Sequence, residues 1–365
     1  MKSCIITVES AREKNTWSGT PKNIIDCFKK KNVKVENLSY YKKIHHYGLG
    51  KIKKIIDKFF YTYGSGFFDP FPFWYNINAN YFEKNMLLFD VDSYMFMGEH
   101  CLKNRKKIKG NVYVYLDREI TEIIKFDEDK RIFKREFERG YAKNFKRSIM
   151  CMDHVFTLNE WSRRKIISKY NFPQDKITNV GFGVNLKPYQ GEKDYTNHKI
   201  LIVLRKGTEH YKGLDLLLEA FEIARNRITD LTLHVVGTDY RKVDGVYYYY
   251  DNPRSVTVSL FQECSLYAMP ALLEPNGITY LEALANKVPT VGMNRFAYPE
   301  FCGYGKYGFI VEEDSPMAVA NVLVKAFSDI GMLKLMGING QKYVIERFTW
   351  EKTANKMLTI MKEDI

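Results

Sequence analysis

Short apolar runs separated by polar loops recur along the whole chain, and stretches of helical periodicity lie between many of them. The first run, residues 4–8, is followed by a helix whose apolar face is supplied by Ile24, Ile25 and Phe28. Residues 33–38 then alternate between apolar and polar positions, as a strand with one buried face does. This order predicts a βαβ unit, in which ligands bind at the carboxyl ends of the strands.

The alternation of strands and helices continues to the end of the chain. We predict strands at residues 111–116, 154–158, 177–180, 200–203, 231–236, 265–269 and 288–291, and helices at 159–170, 214–226, 277–285 and 350–361. The first helix is expected to begin with Thr20 as N-cap and Pro21 at its first position. The polar stretch 187–198 is typical of a linker. Because 365 residues exceed the usual size of one hydrophobic core, the pattern predicts two α/β domains.

The composition is that of an ordinary globular protein, with 45% apolar and 27% charged residues. No apolar stretch approaches the ~20 residues that cross a bilayer, and residues 1–10 resemble a strand rather than a secretory signal. The six cysteines are scattered without a C-x-x-C pair, so we interpret them as reduced, mostly structural thiols. These features predict a cytoplasmic protein.

A net charge of +13 requires an explanation, since an excess of Lys and Arg attracts nucleic acid, anionic lipid and phosphorylated substrates alike. Solvated lysines that serve only solubility explain the same excess. Residues 42–68, from Lys42 to Phe68, interleave lysines with aromatic residues. Two interpretations of this region stay open: peripheral contact with an anionic membrane surface, or an acceptor loop with solvated lysines.

The most specific segment of the sequence is 270–283, in which Glu274 and Glu282 lie on either side of a glycine turn at the start of a predicted helix. Free backbone amides at a helix N-terminus suit a diphosphate. The residues there that we assign to donor binding are Asn276, Gly277, Ile278 and Thr279. A carboxylate does not bind phosphate, so both glutamates are interpreted as acceptors of hydrogen bonds from sugar and ribose hydroxyls. The alternative is a helix whose acidic residues merely complement its dipole.

A basic, glycine-containing loop, residues 205–213, lies between a predicted strand and a predicted helix, which places its cations at the carboxyl end of the strand. Cations at such a position can neutralise a diphosphate leaving group. The loop lacks the G-x-x-x-x-G-K-[ST] pattern of a P-loop, and no G-x-G-x-x-G follows the first strand of either half. Nucleotide triphosphate hydrolysis and hydride transfer therefore both lose support.

Several short segments together resemble the retaining GT-B glycosyltransferases of family 4, and the resemblance covers nearly the whole chain. The segments are WSGTP at 17–21, FTLNEW at 156–161, GFGVN at 181–185, KG at 212–213, E-x7-E at 274–282 and FTW at 348–350. The resemblance implies that Glu274 contacts the donor sugar, Glu282 the ribose, and Lys212 with Arg205 the diphosphate. It also implies that Gly19 lies in a loop under the donor phosphates, for which a plain tight turn is the competing explanation.

Two positions depart from the pattern of these relatives. Arg205 lies slightly farther from Lys212 than in many of them, so Lys206 is the alternative ligand of the diphosphate, although we favour Arg205. Asp117 stands where many relatives place a histidine that faces the reacting carbon. We assign Asp117 to the catalytic site together with Glu274, and a helix N-cap after a strand is the alternative role for Asp117.

The resemblance implies an α/β GT-B architecture, in which two Rossmann-like domains face each other across a cleft. The expected domains are residues 1–183 on the acceptor side and 184–349 on the nucleotide-sugar side, with 350–365 as a helix that returns to the first domain. The expected reaction moves a hexose or deoxyhexose from a UDP- or GDP-sugar to a glycan, lipid or protein-linked acceptor, with retention of configuration. No metal ion and no other cofactor is expected.

Two other classes of function remain as alternatives. A nucleic-acid-binding protein would explain the charge, but the basic and aromatic residues form no recognised binding module, so no nucleic-acid partner is expected. A non-hydrolysing sugar-nucleotide epimerase shares the two-domain architecture, although the arrangement of Glu274 and Glu282 favours transfer.

Overall fold

The computed structural model describes residues 1–7, 16–39, 72–98, 101–119, 121 and 134–364. The lysine- and aromatic-rich region 42–68 lies outside the described residues, so both interpretations of it stay predictions. Backbone contacts divide the chain into two units, Met1–Phe182 with Trp350–Ile365, and Gly183–Thr349. Each unit is built around a parallel sheet of six strands.

The strands of the first unit are β1 (Lys2–Thr7), β2 (Lys34–Ser39), β3 (Ser93–Met97), β4 (Asn111–Leu116), β5 (His154–Thr157) and β6 (Ile177–Asn179). Its first four helices are α1 (Thr20–Lys30), α2 (Pro72–Met86), α3 (Lys134–Ile149) and α4 (Glu160–Tyr170). The strand order is β2-β1-β3-β4-β5-β6. The central strand β3 is buried along its whole length, as expected for a parallel sheet covered on both faces.

The strands of the second unit are β7 (Lys199–Val203), β8 (Thr232–Val236), β9 (Val246–Tyr249), β10 (Leu266–Ala268), β11 (Thr290–Met293) and β12 (Gly308–Val311). Its helices are α5 (Leu214–Arg225), α6 (Arg254–Glu263), α7 (Ile278–Ala285), α8 (Tyr298–Phe301), α9 (Pro316–Ser328) and α10 (Ile330–Arg347). The strand order is β12-β11-β10-β7-β8-β9. The strands β8 and β9 therefore lie on one side of β7, and the later strands β10, β11 and β12 lie on the other side. The carboxyl ends of β7 and β10 therefore form the topological switch point at which such sheets bind ligands.

The C-terminal helix α11 (Trp350–Glu363) packs in the first unit against α1. Its side chains Met357 and Met361 are fully buried, and Asp364 accepts a hydrogen bond from the Tyr113 hydroxyl over 2.9 Å. Among the described residues no single helix is long and apolar enough to span a membrane. A bent pair, Pro316–Ser328 with Ile330–Glu363, passes that test by length and composition only.

Most predicted strands lie within two residues of their observed positions, and the strand at 111–116 is confirmed in full. The predicted start of α1 was wrong by one residue, because Gly19, with a left-handed φ of 79°, is the N-cap and Pro21 follows at the second helical position. The polar stretch 187–198 is not a free linker. It packs on the second unit, where the buried Tyr195 donates its hydroxyl proton to the Lys287 carbonyl oxygen over 2.7 Å.

Candidate active site

Two loops meet at the carboxyl ends of β7 and β10. The loop after β7 ends at Gly213, where a Cβ atom would lie 2.0 Å from the Pro270 carbonyl oxygen. Gly213 also has a left-handed φ of 72°, so only glycine fits this approach without a shift of the backbone. The Leu273 N–H donates to the Tyr211 carbonyl oxygen over 3.0 Å and joins the two loops. Side chains from segments far apart in sequence are thereby held together.

The contact between the loops places the Lys212 ammonium group in an ion pair with the Glu274 carboxylate. Only 22% of the Lys212 side chain and 15% of the Glu274 side chain are exposed. Burial, and after it the positive charge of Arg205, lowers the pKa of Lys212 to about 8. A poorly hydrated ammonium group gains more than an exposed one from an anion that reaches it.

The same Glu274 carboxylate also caps the start of α7. Its Oε1 atom accepts hydrogen bonds from the Gly277 N–H over 2.6 Å and the Asn276 N–H over 3.3 Å. Gly277 has a left-handed φ of 62°, and a Cβ atom there would lie 2.4 Å from the Tyr280 ring. The Gly277 amide, which the sequence analysis assigns to a diphosphate, donates to Glu274 in this structure.

Ile278 and Thr279 are the first two residues of α7, and N–H groups at such positions have no acceptor within their own helix. The Thr279 hydroxyl oxygen accepts from the Tyr267 hydroxyl over 2.7 Å, and the Tyr280 hydroxyl donates to the Met269 carbonyl oxygen. Both tyrosines are buried. These bonds fix the first turn of α7 to the edge of the sheet.

Glu282 lies farther along α7, and only 8% of the residue is exposed. Burial raises the pKa of Glu282 to about 7, against the opposing effect of the Arg254 guanidinium. Arg254 Nη2 lies 3.8 Å from Glu282 Oε1 and 3.4 Å from the Asn185 carbonyl oxygen. The two glutamates of one element therefore differ in environment: Glu274 is held by a cation and two amides, whereas Glu282 is buried beside a single, mostly exposed guanidinium.

The two candidate cations at the start of the loop, Arg205 and Lys206, lie in different surroundings. Lys206 Nζ is 3.2 Å from Asp239 Oδ1 and 4.5 Å from the centre of the Tyr250 ring, and most of its side chain is exposed. The charge of Arg205 contributes to the lowered pKa of Lys212. The assignment of Arg205, rather than Lys206, to the diphosphate stays a prediction.

Gly19 lies in the first unit at the N-terminus of α1. Trp17 and Ser18 before it also have left-handed backbones, with φ of 44° and 55°. The Trp17 ring lies 5.5 Å from the ring of Tyr115 near the end of β4. Non-glycine residues in this conformation cost on the order of 1 kcal/mol each and concentrate at functional sites. This favours a ligand-binding role for the loop over a plain turn, and the assignment of Gly19 to the donor stays a prediction.

Asp117 follows β4, and its carboxylate accepts from Arg118 Nη1 over 2.9 Å. Its backbone carbonyl accepts from the Ser162 hydroxyl over 3.1 Å. Two residues later the fully buried Glu119 accepts from the Tyr170 hydroxyl over 2.5 Å. Hydrogen bonds to both ends of α4 thus hold the backbone that carries Asp117. Arg118 and Glu119, which follow Asp117, are not helical, so the alternative role of Asp117 as a helix N-cap was wrong, and its catalytic role stays a prediction.

Comparison with known proteins identifies the second unit. Residues 190–343 match the family described as glycosyl transferases group 1. The second unit is a group 1 glycosyltransferase domain. The glycosyltransferase resemblance stated from the sequence is confirmed, and the segment that carries Lys212, Glu274 and Glu282 lies inside the matched residues.

The sequence relatives of this chain are distant. A capsular polysaccharide biosynthesis glycosyltransferase of Staphylococcus aureus is 24% identical over 243 residues, which are 59% of this chain and 64% of the relative. A GDP-mannose-dependent phosphatidylinositol monomannoside mannosyltransferase of Mycolicibacterium smegmatis is 24% identical over 169 residues, 41% of this chain and 44% of the relative. The chain thus spans less than two thirds of the length of the curated relatives it matches.

The whole chain shares its fold with solved structures. Sucrose-phosphate synthase from Thermosynechococcus elongatus superposes with a TM-score of 0.72 at 13% sequence identity, over 100% of this chain and 98% of that protein. The superposition includes both parallel six-stranded sheets of this chain, since it covers the chain in full. The predicted GT-B fold class is confirmed.

Within the group 1 domain, Lys212, Glu274, Asn276 and Gly277 form one bonded cluster, and Glu282 lies on the helix that this cluster caps. Arg254 was missed by the sequence analysis, because a single arginine after a proline carries no recognisable pattern. Glu119 was missed because an isolated glutamate carries no recognisable pattern either. Among the residues that the structure describes, no group of three or more His, Cys, Asp or Glu side chains could hold a metal ion.

Proposed function

We propose that the chain is a glycosyltransferase that binds a nucleotide-diphosphate sugar in its group 1 domain. The observation that carries the proposal is the cluster of Lys212 and Glu274 at the N-terminus of α7, with the buried carboxyl group of Glu282 farther along the same helix. This cluster combines a cation and backbone amides for a diphosphate with two carboxyl groups for hydroxyls, at the switch point of the sheet.

In the proposed complex, Lys212 and Arg205 neutralise the diphosphate, and the first amides of α7 donate to its oxygens. Glu282 accepts hydrogen bonds from the ribose, and Glu274 accepts one from a hydroxyl of the transferred sugar. Because side chains supply the positive charge that the leaving diphosphate needs, we also propose that transfer requires no divalent cation. Full activity in excess EDTA is expected, and loss of activity that added manganese restores would contradict this part.

The resemblance extends the proposal to stereochemistry and substrates. We propose retention of anomeric configuration, with front-face displacement assisted by the departing phosphate, and we assign Gly19 and Asp117 to the site on the same basis. One relative is named for dependence on GDP-mannose and for a phosphatidylinositol mannoside, and another for capsular polysaccharide. These names support a GDP-hexose as donor and a glycan or lipid-linked glycan as acceptor. On the basis of the resemblance, a UDP-sugar is the other candidate donor, and we assign the acceptor to the first unit.

Lys212 and Lys206 provide a matched test, because both lie on one loop and each loses one charge on replacement by Gln. We expect calorimetry on the full chain to detect binding of UDP or GDP and of the corresponding nucleotide sugar. Lys212→Gln should weaken nucleotide diphosphate binding by about tenfold or more, since it removes a buried charge-assisted hydrogen bond. Lys206→Gln should change the affinity by no more than about twofold, as expected for an exposed ion pair.

Equal losses in both variants would contradict the assigned site, and absence of binding to any nucleotide diphosphate or nucleotide sugar would contradict the proposed function. Product analysis separates the enzyme classes. A donor incubated without acceptor should remain unchanged or hydrolyse slowly, whereas conversion to an epimer would identify an epimerase instead.

A further inference from the structure

The Glu274 carboxylate is held by groups that the proposed function assigns to the diphosphate of the donor. Its oxygens contact the Gly277 N–H, the Asn276 N–H and the Lys212 ammonium group, which include partners that the proposed function gives to the diphosphate. We infer that Glu274 is an internal anion of the phosphate subsite, and that the diphosphate of the donor displaces it. The inference rests on the proposed function and adds that donor binding exchanges one anion for another.

The surroundings of Glu274 are those of an anion site. The carboxylate caps the N-terminus of an eight-residue helix, where unsatisfied N–H groups attract negative charge. A second, independent feature is the ammonium group of Lys212, which comes from another loop and is largely buried. A buried ammonium group without a counter-charge is strongly unfavourable. Glu274 supplies that counter-charge in the protein without ligand.

Displacement has a consequence for catalysis. Glu274 precedes the glycine turn by three residues, so its carboxylate swings on its own side chain while the backbone amide of Gly277 stays in place. Once a phosphate group takes the Gly277 amide and Lys212, the carboxylate is free to accept a hydrogen bond from a hydroxyl of the sugar. Only a ligand that carries the diphosphate therefore brings Glu274 into its proposed catalytic role, and a nucleoside alone does not.

Displacement also sets the affinity for the nucleotide diphosphate. In the wild-type protein the diphosphate must break the ion pair of Lys212 and Glu274. It must also replace the Glu274 carboxylate as the acceptor of the hydrogen bond from the Gly277 N–H. Replacement of Glu274 by Gln keeps a carbonyl acceptor for the Gly277 amide but removes the competing charge. The variant should therefore bind the nucleotide diphosphate more tightly than the wild type while transferring sugar more slowly.

The experiment is calorimetry at one pH on the full chain with three probes: the nucleotide diphosphate that the wild type binds, inorganic pyrophosphate, and the parent nucleoside. The variants are Glu274→Gln and Glu274→Ala, and Glu313→Gln is the control, since Glu313 is an exposed carboxylate of the same unit. Both Glu274 variants should bind the nucleotide diphosphate and pyrophosphate about tenfold more tightly, the scale of a hydrogen bond to a charged group. Nucleoside affinity should stay unchanged in all variants, and the control should match the wild type.

Thermal unfolding midpoints show which Glu274 variants are folded. If the folded variants bind the diphosphates no more tightly than the wild type does, the inference is overturned and the proposed function still stands. A wild-type protein that binds no nucleotide diphosphate would overturn both. If neither variant folds, the wild type decides the matter by NMR. The side-chain carboxyl signal of Glu274 should shift on addition of the nucleotide diphosphate, and an unmoved signal would overturn the inference.

Discussion

At the scale of single residues, burial has the largest effect on the ionisation of Glu282 and Lys212, and one neighbouring positive charge also acts on each of them. Glu282 has its pKa raised to about 7 by burial, and the Arg254 guanidinium opposes this rise. Lys212 has its pKa lowered to about 8 by burial and by the charge of Arg205. Both groups are required in their charged forms by the proposed function. The fraction of molecules in which both groups are charged is greatest between the pKa of Glu282, about 7, and the pKa of Lys212, about 8.

Donor affinity should therefore pass through a maximum between about pH 7 and pH 8. As the pH falls below about 7, Glu282 gains a proton and loses acceptor capacity for the ribose; as it rises above about 8, Lys212 loses its charge. Each limb should approach a tenfold change in affinity per pH unit. The measurement is calorimetry with the nucleotide sugar, because its diphosphate carries no terminal phosphate that titrates in this range.

Three variants identify the group that causes the loss of donor affinity on the acid side and on the alkaline side of this pH profile. Glu282→Gln should abolish the acid limb and keep the alkaline one, and Lys212→Gln should do the reverse. Arg254→Gln should move the acid limb to higher pH, because it removes the positive charge that opposes the raised pKa of Glu282. An acid limb that persists in Glu282→Gln would show that another group controls it.

At the scale of elements, the segment 270–283 shows how far the sequence could be interpreted. Its glycine turn and helix, and the strand Leu266–Ala268 that precedes the segment, were predictable, because apolar periodicity and a left-handed glycine are local properties. The bond from Gly277 to Glu274 and the ion pair to Lys212 were not predictable. They depend on a contact between two loops that only the sheet order brings together. The helix Lys134–Ile149 was missed because it is rich in charges and its apolar positions are few.

The close approach of these loops predicts a specific sensitivity at Gly213. Gly213→Ala combines a left-handed φ with a Cβ atom placed against the Pro270 carbonyl oxygen, so the loops must separate. Gly207, on the same loop, is the matched control, because its φ is 86° but nothing lies within 4 Å of an added Cβ atom. Gly207→Ala should lower the free energy of unfolding by about 1 kcal/mol from backbone strain alone.

Gly213→Ala should cost several times as much as Gly207→Ala, roughly 3 kcal/mol or more, and should weaken nucleotide binding because Lys212 moves away from the N-terminus of α7, where the diphosphate is proposed to bind. Urea unfolding and calorimetry measure the two effects. Equal costs for the two substitutions would show that the loops can separate without loss and that their contact does not form the site.

At the scale of the whole molecule, the chain is not simply two consecutive halves. The family match covers only residues within the second unit, whereas the helix α11 follows that unit in sequence and belongs to the first. Composition and periodicity predicted the helix, but its return to the first unit was implied only by the family resemblance. Its apolar face, with Ala354, Met357, Leu358 and Met361, would otherwise be exposed to water.

Removal of buried volume from α11 should therefore destabilise the first unit and leave the second unit, which has its own core, folded. Met357→Ala deletes a fully buried side chain and should cost about 2 to 5 kcal/mol, whereas Met317→Ala changes a methionine that is 50% exposed and should cost little. Hydrogen exchange followed by mass spectrometry should show faster exchange in Met357→Ala for peptides from α1, which packs against α11. Peptides from α7 should keep their protection, because α7 lies in the separate core of the second unit. Faster exchange in α7 instead of α1, or equal effects of the two methionine substitutions, would show that α11 does not stabilise the first unit in the way that its buried contacts indicate.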